Sequence, residues 1–205
     1  MGVPEPLKRL AEAEYLALER RAEFKSEFFA GEMFAMAGGT RRHSLIAANL
    51  AAEFRSRLKG KPCVAFNADL RVKIEATGLL TYPDLSVVCA AQKFLNSEED
   101  TLVNPTLLAE VLSDSTEAYD RGKKFEHYRQ IPSLKEYLLI NQREPRIEQF
   151  IRQQNGEWLL REAVGLKATL AIPSLKIRLA LAEVFARVRF PAVSGPPASA
   201  KRKSA

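Results

Sequence analysis

The chain has 205 residues, 46 % of them apolar and 27 % charged, a balance that suits one globular domain with a real core rather than an unfolded chain. No apolar run approaches the roughly eighteen residues of a membrane span, and the start MGVPEPLKRLAEAEYL has no basic segment leading into an apolar one, so neither an anchor nor a secretory signal is expected. The net charge is +6, but Lys201, Arg202 and Lys203 supply three of these charges and leave +3 on residues 1–190; charge permits a polyanionic partner without arguing strongly for one.

In chain order, residues 7–21 read as a helix, and SEFFAGEMFAMAGG as two short strands turning at Ala30-Gly31. A helix over 43–59 follows, with Ile46, Leu50, Phe54 and Leu58 at every fourth position. Gly60, Lys61 and Pro62 end it. Short strands are expected near 63–66, 69–74 and 84–89. Cys63 and Cys89, the two cysteines, stand in apolar surroundings and read as reduced core thiols of a cytoplasmic protein; with only His43 and His127 available, a zinc site is not expected. TLLAEVL, 106–112, is the near-continuous apolar run of a strand buried on both faces. A helix fits 117–130 and stops at Pro132. Strands at 136–140, 146–152 and 157–163 and a short helix at 181–187 complete the pattern. Strands between flanking helices give an α/β or α+β sandwich. Residues 191–205, rich in Pro, Ser, Gly and Ala, read as a disordered basic tail to a single domain over 1–190.

Three residues carry candidate chemistry. Glu110 sits inside the apolar run, where an unpaired carboxylate costs several kcal/mol; a cation, a lysine or a metal ion must hold it, and a structural salt bridge would serve as well as a functional site. Asp84 follows Pro83, which suits a strand start, and either closes a turn or faces a cleft. In EAYDRGKKFEHYRQIPS, Phe125 and Tyr128 mark a buried helix face. Lys124 lies ~100° from Phe125 and ~40° from Tyr128 on an α-helix, so it flanks that face and reaches the sheet, whereas Lys123 points to solvent. Asp120, four residues earlier, caps or pairs with Lys124. Two acids on neighbouring strands with one lysine form a minimal kit for metal-assisted phosphodiester hydrolysis, with hard oxygen ligands suited to Mg²⁺.

The stretch PDLSVVC…NPTLLAEVLSDSTEAYDRGKKFEHYRQIPSLKEYLLI resembles the Uma-type restriction endonuclease family, common in bacteria, of the PD-(D/E)XK nuclease superfamily. The likeness extends upstream through EFFAGEMFAMAGGTRRHSLIAANL and downstream through GEWLLREAVGL. It implies a restriction-endonuclease-like core, a central mixed β-sheet flanked by helices, and an endonuclease that uses Mg²⁺ or Mn²⁺ on nucleic acid, DNA by preference, as a homodimer. By this resemblance Asp84 and Glu110 are the metal acids, with the Val111 carbonyl as an extra ligand. Glu27 matches a further family acid that completes the metal or water site. The lysine usually two residues after the strand acid is replaced by Leu112, which implies that it has migrated to Lys124; a catalytically inactive, nucleic-acid-binding module is the alternative. His43, in phase with the apolar face of its helix, reads as a core histidine or a supporting group, as does Asp120. Ala30 stands where related sequences tend to have Asp or Asn, which weakens the turn signal.

Overall fold

The computed structural model describes residues 9–36 and 38–191. All but Pro191 of the expected basic tail lies outside them. Helix α1 (Glu12–Glu19) precedes the hairpin of β1 (Ser26–Phe29) and β2 (Glu32–Ala35). Helix α2 (Arg41–Arg57) leads into β3 (Val64–Asn67), β4 (Arg71–Ile74), β5 (Leu79–Thr81), β6 (Leu85–Val88), β7 (Thr101–Leu102) and β8 (Leu107–Val111). A helical segment follows in three pieces: α3 (Glu117–Tyr119), a π-helical turn (Asp120–Lys124) and α4 (Phe125–Tyr128). The described residues continue with β9 (Glu136–Ile140), β10 (Arg146–Arg152), β11 (Trp158–Val164), the β12 (Thr169–Ile172) and β13 (Ile177–Ala180) hairpin, and α5 (Leu181–Val184).

The elements assemble into the central mixed sheet expected and a second large sheet beside it. The six-stranded mixed sheet has the order β11-β10-β9-β8-β6-β3, and a five-stranded sheet has the order β2-β1-β5-β4-β7. The five-stranded sheet was hard to foresee because β5 and β7 have three and two residues, too few to show a period. No helix among the described residues is long and apolar enough to cross a membrane.

Strand β8 organises the six-stranded sheet. It pairs antiparallel with β6 and parallel with β9, and all five of its residues are buried, as its apolar run predicts. Side chains alternate across a strand. Leu107, Ala109 and Val111 therefore join the core under α2, with Ile46, Leu50 and Phe54. Leu108 and Leu112 join the opposite core, with Tyr128, Ile131 and Tyr137. Glu110 shares the parity of that second face and points its carboxylate at the helical segment after β8.

Two local expectations change. The segment 117–130 is not one regular helix: the π-helical turn interrupts it, a feature that uniform 3.6-residue phasing cannot show. The thiols are not reduced: Cys63 and Cys89 form a disulfide. Antiparallel register sets Val64 opposite Val88, so the flanking cysteines face each other across the strands despite a sequence separation of 26. The Ala30-Gly31 turn forms as expected even with Ala at its first position, with φ of 52° and 88°, the paired left-handed residues of a two-residue hairpin turn.

A cross-link closing a loop of this size restricts the unfolded chain, so Cys63→Ala with Cys89→Ala is expected to lower unfolding free energy by about 3 kcal/mol in urea titrations. The alanine Cβ at left-handed φ costs about 1 kcal/mol. Ala30→Gly is accordingly expected to raise stability by about that amount, measured the same way, and an unchanged or lower midpoint would count against a strained turn.

Candidate active site

Pro83 and Asp84 enter β6, and the β6–β8 register, with Leu85 opposite Ala109, carries on to set Asp84 across from Glu110. Asp84 Oδ2 accepts the Val111 backbone N–H at 2.7 Å and lies 3.3 Å from His43 Nε2. His43 comes from the first turn of α2, whose N-cap Thr40 accepts the His43 backbone N–H at 3.1 Å and donates to Gln142 Oε1 at 2.8 Å. The hydrogen bond to Asp84 holds the imidazole pKa above its usual value, against the opposing effect of burial.

The π-helical turn brings Asp120 and Lys124 inward together; both are buried. Lys124 Nζ lies 3.1 Å from Glu27 Oε1, 3.2 Å from Glu110 Oε1 and 3.2 Å from Asp120 Oδ1. Glu27 arrives from β1 and accepts from Thr81 Oγ1 at 2.5 Å. Glu110 accepts from the Tyr128 hydroxyl at 2.6 Å. The Tyr137 hydroxyl donates to the Asp120 carbonyl at 3.1 Å, which satisfies a main-chain group in the widened turn. Lys123, its neighbour, pairs with Glu126 on the surface. Helical phase thus separates the two lysines as the sequence implies, and Lys124 lies deeper than a flanking position would require.

The cluster holds more negative than positive charge. Glu27, Asp84, Glu110 and Asp120 line one cavity of about 830 Å³ with Lys124 and His43. Burial pushes the Glu110 carboxyl up to about 8, against the pull of Lys124. Burial disfavours the Lys124 ammonium, but Glu110, Glu27 and Asp120 overcome it and raise its pKa well above the usual value. Lys124 is therefore a fixed cation, and Glu110 is the acid whose charged form further positive charge would favour.

A divalent cation is one source of that charge. Among the described residues, no three His, Cys, Asp or Glu side chains are grouped so as to hold a metal ion. Mg²⁺ is commonly held by one or two carboxylates while keeping several waters, so Asp84 and Glu110 with a backbone carbonyl are sufficient in kind and number. Asp120 Oδ1 faces the Lys124 ammonium at 3.2 Å but makes no hydrogen bond of good geometry. The residues present fit a hard cation.

Of the residues expected from sequence, Glu27, Glu110, Asp120 and Lys124 meet directly. Asp84 shares their cavity but pairs with His43, and among the described residues no ion pair joins it to Lys124. Leu112, where the usual lysine would stand, is packed in the core. The spacing of Phe125 and Tyr128 marks Tyr128 as a packing residue and gives no sign that its hydroxyl serves Glu110. Tyr119, whose ring lies 5.5 Å from Lys124 Nζ, and Thr81 carried no sequence signal.

The family model described as "Uma2: Putative restriction endonuclease" matches residues 12–182. Two proteins of Synechocystis sp. (strain ATCC 27184 / PCC 6803 / Kazusa), both described as uncharacterized, are similar: slr1290 is 39 % identical over 155 residues, 76 % of this chain and 80 % of its own. The other, sll1609, is 36 % identical over 177 residues, 86 % of this chain and 100 % of its own. A crystal structure from Anabaena variabilis ATCC 29413, described as a putative nuclease belonging to DUF820, superposes with a TM-score of 0.66 at 21 % identity, covering 84 % of this chain and 96 % of that one. The fold is thereby restriction-endonuclease-like.

A carboxyl whose folded pKa is raised contributes stability that is fully present below its unfolded pKa and lost as pH rises through the folded value. For Glu110 that window runs from about 4.5 to about 8. His43, also raised, acts in the same direction. Metal-free protein is expected to melt at falling temperature from pH 5 to 8.5, and Glu110→Gln to flatten much of that slope; an equally steep profile in the variant would contradict the charge assignment.

Proposed function

The chain belongs to the Uma2 family, and from that premise we propose that it is a metal-dependent nuclease hydrolysing phosphodiester bonds of nucleic acid, DNA first among them. We place this activity in one domain over residues 1–190, acting as a homodimer when both strands of a duplex are cut. The observation that carries the reading is the convergence of Lys124 with Glu110, Glu27 and Asp120 on the wall of an open cavity that also holds Asp84. A purely structural ion pair needs one carboxylate; here three surround one ammonium, and the excess negative charge faces a cavity.

In this reading Asp84 and Glu110 hold Mg²⁺ or Mn²⁺, with the Val111 carbonyl as a further oxygen donor. When bound, the cation supplies charge for the phosphate oxygens and Lewis-acid polarisation at phosphorus. Lys124 donates to the attacking water or a phosphate oxygen and offsets the charge that develops there. Glu27, fixed by Thr81, accepts a hydrogen bond from that water and orients it. Tyr128 fixes the Glu110 carboxylate through Oε1. Asp120 keeps the Lys124 chain in place, and His43 does the same for Asp84. Leu112 does not argue for an inactive module, because the ammonium reaches Glu110 from the helix instead.

The test uses purified protein with plasmid and single-stranded DNA in Mg²⁺ or Mn²⁺. Cleavage is expected with either ion, abolished by EDTA, and reduced at least about 100-fold in Lys124→Met and Asp84→Asn. Binding at 100 times the dissociation constant is worth about 2.7 kcal/mol, so Mg²⁺ is expected to raise the melting temperature of the native protein but not that of Asp84→Asn with Glu110→Gln. A folded native protein that neither cuts nor gains stability with either ion would overturn the reading.

A further inference from the structure

The cavity mouth carries two features that the hydrolytic cluster does not use. Phe24 is 80 % exposed and Phe34 is 47 % exposed, and both line the cavity that holds Glu110 and Lys124. Their placement follows from the β1–β2 hairpin. Phe34 is the register partner of Glu27, so the two side chains leave the same face of the sheet, with Cβ atoms about 5 Å apart. The Met36 N–H bonds to the Lys25 carbonyl at 3.0 Å and extends this pairing to the residue after Phe24. An aromatic ring thus stands beside a carboxylate that contacts Lys124, and a second ring lies at the rim.

Cations border the same opening. Arg42 and Arg143 line it. Among the described residues Arg143 pairs only with Asp114, on the surface, a contact of little energetic weight. Among the described residues Arg42 has no carboxylate partner. The cavity is therefore anionic where a metal ion and its ligands would sit and aromatic along the hairpin, and Arg42 and Arg143 add cations to a lining that also holds Glu23 and Asp114. A bare apolar contact with another protein copy would not require that order. A polynucleotide would: its phosphates suit the arginines, its scissile group suits the acidic cluster, and its base faces suit the phenylalanines. In a duplex those faces are stacked on neighbouring pairs and closed to a protein ring.

We propose that Phe24 and Phe34 form a stacking platform for unpaired bases, so that the preferred substrate is a single-stranded polynucleotide or an unpaired stretch within a longer one. This rests on the nuclease reading and narrows it. Arg42 and Arg143 track the flanking phosphates, and Phe34 sets the nucleotide beside the bond to be broken.

The test is equilibrium binding by fluorescence anisotropy, with Ca²⁺ in place of Mg²⁺, of a labelled DNA single strand, its RNA counterpart and the blunt duplex of the same sequence. The native protein is expected to bind a single strand more tightly than the duplex. Phe24→Leu with Phe34→Leu, which keeps apolar bulk and removes the ring faces, is expected to weaken single-strand binding roughly five- to a hundredfold, with duplex affinity and melting temperature unchanged. Phe34→Tyr, with Phe24 retained, should keep tight binding. Equal or tighter duplex binding by the native protein, or single-strand affinity indifferent to the leucine pair, overturns the proposal. If the leucine pair instead turns a dimer into a monomer without changing affinity, the rings are a contact between copies and the proposal fails. Cleavage of duplex DNA alongside such a failure would leave the nuclease reading standing, whereas a native protein that neither binds nor cuts any of the three would take both down.

Discussion

One ammonium among three carboxylates sets the terms for the rest of this molecule. Lys124 is within 3.2 Å of Glu110 and Asp120 and 3.1 Å of Glu27, and all four residues are buried. Charges taken out of water cost several kcal/mol each unless partnered. Each partner here is tied to a different element: Glu27 to β1, Glu110 to β8, Asp120 and Lys124 to the π-helical turn. The cluster links the five-stranded sheet, the six-stranded sheet and the helical segment after β8, and it can form only when all three are in place.

The same interaction explains the hydroxyls around it. Tyr128 reaches Glu110 from the aromatic core, Thr81 reaches Glu27 from the strand next to β1, and Tyr137 reaches the Asp120 carbonyl. The two tyrosines pack their rings in a core and spend their one polar atom on the cluster, Tyr128 on a carboxylate and Tyr137 on a main-chain carbonyl. Polar groups held this way have little freedom to reorganise, which is what a site stabilising a developing phosphate charge requires. The negative excess left over is the property that suits a hard cation.

Local pattern determined a good deal of this protein. The apolar run at Leu107–Val111 identified the central strand, and the fourfold spacing from Ile46 to Leu58 identified α2. Glu110 was conspicuous because an acid inside such a run must be held by something. Lys124 was separable from Lys123 because helical phase puts them on different sides, and the π-helical turn altered the phase without reversing that order. The family's block of residues around these positions added Glu27, which no local pattern singled out.

What the sequence by itself determined, then, was which segments bury which faces, since apolar periodicity is written along the chain. Tertiary structure decided everything that depends on register between distant strands. Cys63 meets Cys89 because Val64 is paired with Val88, and Phe34 stands beside Glu27 because β1 and β2 pair in one register. Asp84 turned to His43 rather than to Lys124 because α2 presents its first turn at the entry to β6. Alternation gives a residue its face, but a partner is fixed only when backbone hydrogen bonds set one strand against another.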